Sequence, residues 1–147
     1  MTLLEFESVD ALLADARSRI RRYEPAEAAR RVADGALLVD IRPAWQRAQD
    51  GEIPGSIIVE RNHLEWRLHP ASDARLPQAA EGQEWIVFCT EGYTSSLAVA
   101  ALTSLGIPSA DVIGGIKGWG AAGFRLATTV TAVETVVTAD PQPAGAL

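Results

Sequence analysis

Two short runs, Ala36–Ile41 and Trp85–Cys89, are apolar at consecutive positions apart from Asp40. A strand with one wet face alternates polar and apolar residues, whereas these runs offer no polar face to water. They are also too short for a buried helix, so each reads as a strand covered on both sides. Strands of that kind belong to parallel sheets, whose crossover connections lay helices over both faces.

The flanking segments supply those crossovers. Ser8 is followed by Val9, Leu12, Leu13, Ala16 and Ile20 at helical spacing, with acids early and Arg17, Arg19, Arg21 and Arg22 late, the charge order that suits a helix dipole. The four arginines are expected to form a solvated helix end. Pro25 opens a second amphipathic helix that reaches Ala33 and stops near Gly35. After the Pro54-Gly55 turn, Ile57–Val59 reads as a short strand, and Asn62 is placed to cap a helix bearing Leu64, Trp66 and Leu68. Ser95 or Ser96 begins a helix through Leu97, Ala101, Leu102 and Leu105, ended by Gly106 and Pro108. Asp111–Ile113 is a further strand, followed by a glycine-rich turn over 114–118 and one helical turn around Trp119. Trp45 and the Trp66-Arg67 pair are expected to cover apolar surface. This alternation predicts an open, mainly parallel α/β sheet with helices on both faces.

A chain of 147 residues with 48% hydrophobic content fits one core and one domain. The formal charge of -6 gives a mildly acidic surface that repels phosphate backbones and anionic membranes, which argues against nucleic acid or a membrane as partner. No stretch reaches bilayer-spanning length, and the opening MTLLEFESVD carries acids where a secretory signal carries Lys or Arg. A single cysteine forms no internal disulfide, so the expected location is the cytoplasm, where a lone thiol stays reduced. His63 and His69 are the only histidines; neither lies at metal-ligand spacing, and no metal is expected.

That cysteine, Cys89, ends the second strong run. Ligands of open α/β sheets bind at the carboxyl ends of strands. The residues after it, Thr90-Glu91-Gly92-Tyr93-Thr94 and then Ser95, must curl tightly into the next helix, with Gly92 free to take positive φ. Such a loop aims N–H groups at one point. Together with the positive helix end they favour a thiolate and any anion beside it. Strand position alone leaves a blander reading open, in which Cys89 is a small buried hydrophobe.

Four segments, in order, resemble the single-domain rhodaneses, a family of persulfide-forming sulfurtransferases. Leu38-Val39-Asp40-Ile41-Arg42 is similar to the family's strand ending in Asp-x-Arg, and Gly51-Glu52-Ile53-Pro54-Gly55-Ser56 to its Gly-His-Ile-Pro-Gly-Ala turn. Cys89 to Ser95 resembles the active-site loop, and Gly114-Gly115-Ile116-Lys117-Gly118-Trp119 the Gly-Gly-x-x-x-Trp segment. The resemblance covers about Pro25 to Phe124 and implies a five-stranded rhodanese-like sheet. It also implies a reaction without a cofactor: Cys89 takes a sulfane sulfur from a small donor such as thiosulfate, holds it as a persulfide, and passes it to cyanide or a cellular thiol. Thr90, Glu91, Gly92, Tyr93, Thr94 and Ser95 are then the substrate-binding loop.

Asp40, Arg42, Lys117 and Trp119 are candidates to shape the site. Asp40 and Arg42 lie at a neighbouring strand end, to contact substrate or to form an ion pair; Trp119 either lines the pocket mouth or anchors the last turn; Tyr93 either shields the sulfur or meets the acceptor. Two positions depart from the family pattern: Thr94 stands where Arg is frequent, and Glu52 where the turn has His. Without a guanidinium fork a dianionic donor has less to bind, and Glu91 adds opposing charge. Lys117, Arg61 and Arg42 are candidates to compensate. A cysteine phosphatase needs Arg five or six residues after the Cys, where this chain has Thr94 and Ser95. A rhodanese-like module that binds or senses without turnover is the other alternative.

The expected division is an N-terminal helical extension at 1–24 packed on a rhodanese-like domain at 25–126, then a C-terminal extension at 127–147 whose Pro- and Gly-rich end is disordered. Within it, the β-branched stretch from Thr128 to Thr138 reads as a strand, a short helix or a self-association segment. The sequence carries no signal of oligomeric state.

Overall fold

The computed structural model describes residues 5–138, so the disorder expected of the Pro- and Gly-rich C-terminal end falls on residues outside the described part. The elements run α1 (Val9–Arg17), β1 (Arg21–Tyr23), α2 (Pro25–Ala33), β2 (Leu37–Asp40), α3 (Ala44–Asp50), β3 (Ile57–Ile58), α4 (Leu64–Leu68), β4 (Trp85–Phe88), α5 (Thr94–Ser104), β5 (Ser109–Val112) and α6 (Gly115–Ala121). The strands form one five-stranded sheet in the order β1-β5-β4-β2-β3, and every pairing is parallel.

β4 lies in the middle and is buried at all four positions, as its unbroken apolar sequence requires. Its alternate residues feed two cores. Trp85 and Val87 join Val39, Ile57, Leu64 and Leu68 beneath Ala98, Val99 and Leu102 of α5. Ile86 and Phe88 join Leu38, Ala110 and Val112 beneath Ala28 of α2 and Ile116 and Trp119 of α6. Each fully buried large side chain contributes about 1.5–3 kcal/mol, so covering both faces of one strand is the strongest determinant of this layer order.

The elements that the sequence hides are those whose buried residues are polar or few. β1 forms the sheet edge against β5 and buries only Tyr23, so its Arg21-Arg22-Tyr23 sequence carries no apolar signal. The first helix accordingly ends at Arg17 rather than running on through Ile20. α3 buries only Arg47, which conceals its inward face from any hydrophobic pattern. Asn62 does not cap α4: it sits inside a 3-10 turn, Arg61–His63, and His63 occupies the cap position without a side-chain bond. The expected glycine-rich turn is shorter than predicted, since α6 already starts at Gly115. Trp45 and Trp66 stand largely in solvent, 66% and 61% exposed.

Residues 128–138 form neither a regular strand nor a helix. They run antiparallel along the outer edge of β3, with bridges Ile57–Val136 and, just upstream, Glu52–Ala127. No helix among the described residues is long and apolar enough to cross a membrane.

Candidate functional site

Cys89 follows β4 directly, so the central strand delivers its sulfur to the carboxyl edge of the sheet. The loop then folds back over it. Cys89 Sγ accepts the N–H groups of Gly92 (3.3 Å) and Ser95 (3.4 Å), while its thiol donates to Ser95 Oγ (3.3 Å). The cysteine is 4% exposed. Gly92 adopts φ +90°, and a Cβ there would lie 3.0 Å from the Gly114 nitrogen and 3.3 Å from the Val112 carbonyl oxygen. Only glycine combines that conformation with that approach.

The base of the loop is fixed from the opposite side by α6. Ile116 N–H donates to the Cys89 carbonyl (2.9 Å) and Lys117 N–H to that of Thr90 (3.2 Å). Gly115, at φ +61°, permits this contact, because a Cβ would sit 2.5 Å from both carbonyl oxygens. Thus the Gly-Gly pair opens α6 tightly enough to hold the strand-end carbonyls, leaving the N–H groups of the following loop to serve the sulfur. Thr90 Oγ1 donates to Gln46 Oε1 of α3 (3.0 Å), while Glu91, Tyr93 and Thr94 are exposed.

Behind the loop stands a polar network that the sequence does not announce. Asp111, on β5 and fully buried, accepts Ser95 Oγ and Ser96 Oγ at 2.9 Å each. Arg22 of β1 grips the same carboxylate through Nε (2.9 Å) and Nη2 (3.2 Å) and also donates to the Gly92 carbonyl (3.1 Å). Arg17 of α1 donates to that carbonyl from Nη2 (2.7 Å) and to Ser96 Oγ from Nε (3.1 Å). Its guanidinium lies 5.8 Å from the centroid of the Tyr93 ring. The expected solvated helix end is therefore corrected for these two arginines, which turn inward because loop carbonyls and a buried carboxylate need donors there. Arg19 and Arg21 remain exposed.

Asp40 and Arg42 form a closed pair. Arg42 donates Nε (2.9 Å), Nη2 (2.6 Å) and its backbone N–H (3.0 Å) to the Asp40 carboxylate, and Nη2 also reaches the Gly51 carbonyl (2.7 Å). Burial pushes the Asp40 carboxyl up, against the opposing pull of Arg42. Arg42 is 1% exposed, and its Nη1 has no hydrogen-bond partner while the guanidinium lies 5.7 Å from the Phe88 ring centroid. Held this way it ties β2 to the Gly51 turn and presents no fork to solvent.

Of the other candidates, Lys117 is exposed and meets the loop through its backbone. Trp119 is buried and stacks on Phe124 at 4.6 Å, inside the core of the opposite face. Arg61 pairs with Glu65 (2.8 Å) and lines an open cleft with Ile41, Pro43, Glu60 and Asn62, beyond the carboxyl ends of β2 and β3. Glu52 is wholly buried. It binds Arg47 Nε (2.8 Å) and accepts the N–H of Thr131 (3.0 and 3.1 Å) and its hydroxyl (2.7 Å).

Known proteins share this fold. The solved structure of a protein of unknown function from Rhodopseudomonas palustris, described as a possible tyrosine phosphatase, is 30% identical, with a TM-score of 0.74 over 86% of this chain and 98% of that one. A rhodanese-related protein from Thermoplasma volcanium is 24% identical, with a TM-score of 0.60 over 74% of this chain and 99% of that one. A curated adenylyltransferase and sulfurtransferase from Zea mays is 38% identical over 77% of this chain, which spans only 23% of that longer protein. Residues 24–122 match the rhodanese-like domain family, and the chain belongs to that family.

Proposed function

We propose that the protein is a sulfurtransferase that carries sulfane sulfur as a persulfide on Cys89. The observation that carries the reading is the sulfur itself, cradled by the Gly92 and Ser95 N–H groups at the carboxyl edge of the central strand. Converging backbone donors favour a thiolate, and they suit the larger, singly charged persulfide equally well without a metal.

The step balances with thiosulfate as donor. The Cys89 thiolate attacks the outer sulfur, a new S–S bond forms, the donor's S–S bond breaks, and sulfite leaves with its electron pair. A thiolate or cyanide then attacks the outer sulfur of the persulfide, and the Cys89 thiolate departs. Ser95 Oγ, 3.3 Å from Sγ, accepts from the resting thiol while its own hydroxyl proton is donated to Asp111 (2.9 Å), so the backbone N–H groups of Gly92 and Ser95 are the donors left to serve the anion.

The phosphatase description of the Rhodopseudomonas relative suits this site less well. A phosphoryl clamp needs a guanidinium facing the reacting group. Here Thr94 and Ser95 hold the relevant positions, and Arg17 and Arg22 are engaged with the Gly92 carbonyl and Asp111. A non-catalytic binding or sensing module draws support from the low exposure of Cys89 and the absent fork.

Intact-mass measurement separates these readings. Wild type incubated with a sulfane donor is expected to gain one sulfur and lose it to cyanide, and Cys89→Ser to gain none. Failure of the wild type to load from thiosulfate, polysulfide or mercaptopyruvate would establish the binding module instead.

A further inference from the structure

We infer that Arg17 and Arg22 are positioning residues of the anion cradle and replace, from behind the loop, the positive charge that Thr94 does not supply in front of it; the inference rests on the sulfurtransferase reading. Both arginines lie upstream of residue 24, where the match to the family begins, so the cradle draws its support from a segment outside the family's own domain.

The argument starts from one peptide group. The Gly92 carbonyl accepts Arg17 Nη2 at 2.7 Å and Arg22 Nη2 at 3.1 Å, and Ser96 Oγ lies 3.3 Å away. Two guanidinium groups on one carbonyl far exceed what a turn needs to satisfy its backbone. No peptide bond among the described residues is cis. A trans peptide directs its C=O and N–H to opposite sides, so anchoring the Gly92 oxygen turns the Tyr93 N–H away from the guanidinium pair. Charged donors also polarise the peptide they bind, which strengthens its N–H as a donor.

Charge bookkeeping points the same way. Asp111 is buried behind the loop, where a bare carboxylate would repel a persulfide anion. Arg22 pairs with that carboxylate, and Ser95 and Ser96 share it. The Arg17 guanidinium is then a second positive charge against the loop's back, and its partners among the described residues are neutral: the Gly92 carbonyl, Ser96 Oγ and the face of Tyr93. Arg17 is thus the residue that leaves the cradle's rear net positive.

Alkylation of Cys89 by anionic iodoacetate and by neutral iodoacetamide reads this without requiring sulfur transfer. The ratio of the two rates cancels changes in thiolate fraction and reports how well the cradle receives an anion. Arg17→Met is expected to lower the ratio by about threefold to tenfold, the range of one ordinary hydrogen bond's net contribution. Arg17→Lys is expected to restore most of it. Arg22→Met combined with Asp111→Asn, which keeps the buried charges balanced, is expected to lower it as well. An unchanged ratio in Arg17→Met overturns the inference. So does an equal fall in both rates that Lys does not rescue, since that is the mark of a purely structural role. Sulfur loading measured on the same samples separates the two claims: a wild type that never loads, with a ratio that still falls in Arg17→Met, removes the sulfurtransferase reading and leaves the positioning role standing.

Discussion

Thr94 is the residue on which donor choice turns. It is exposed, opens α5, and immediately precedes Ser95, whose N–H reaches the sulfur. Thr94→Arg puts a guanidinium on the solvent side of the cradle, where a dianionic donor approaches, and is expected to lower the KM for thiosulfate by about threefold to tenfold with a smaller change in kcat. Steady-state kinetics decide it, and an unchanged or higher KM shows that the donor's anionic end is not held there. Cys89 and Gly92 were legible in the sequence because each is constrained locally, one by ending an apolar strand and the other by needing positive φ in a tight loop. Arg17, Arg22 and Asp111 were not. The partners of the two arginines lie 70 to 89 positions away, and a basic run at a helix end has the same local pattern whether it faces water or a buried carboxylate.

Elements were readable in proportion to the apolar area they bury. β2, β4, α2 and α5 announced themselves, whereas α3 did not, because its inward residue is Arg47. That burial is explained by a clamp. Arg47 donates to Glu52, to the Arg42 carbonyl (2.8 Å) and to the Thr131 carbonyl (2.9 Å), while Glu52 receives Thr131 in return. Glu52, which departs from the family's turn residue, is therefore used to fasten the segment after α6. Glu52→Ala strands a buried guanidinium and is expected to cost about 3–5 kcal/mol in urea unfolding. A double-mutant cycle with Thr131→Val is expected to return a coupling of about 1–2 kcal/mol. A coupling near zero would mean that Glu52 serves Arg47 alone and that the strap is held by other contacts.

For the molecule as a whole, the same strap closes a vulnerable side. β3 is an edge strand of two residues, both fully buried in place, and an uncovered edge is a template for pairing with another chain. Its covering is supplied by the segment after α6: Ile58 N–H donates to the Thr135 carbonyl (3.2 Å), Val137 N–H to that of Ser56 (2.7 Å), and Gly55 N–H to that of Val137 (2.8 Å). Ala127 and Val137 pack on Ile58, so removing the segment bares apolar surface along with the backbone groups. The stretch is neither the regular strand nor the helix that the sequence left open, but an antiparallel edge cover held by isolated bridges. Truncation after Arg125 is expected to raise self-association with concentration, seen as a rising mass by size-exclusion chromatography with light scattering, while circular dichroism keeps the helical signal of the remaining fold. Val137→Pro, which deletes one of these donors but leaves the strap attached through Glu52, is expected to fall between the truncated and full chains. If the truncated chain keeps the mass of the full one at every concentration, the strap's contribution lies in stability alone, and the β3 edge is protected by its own shortness.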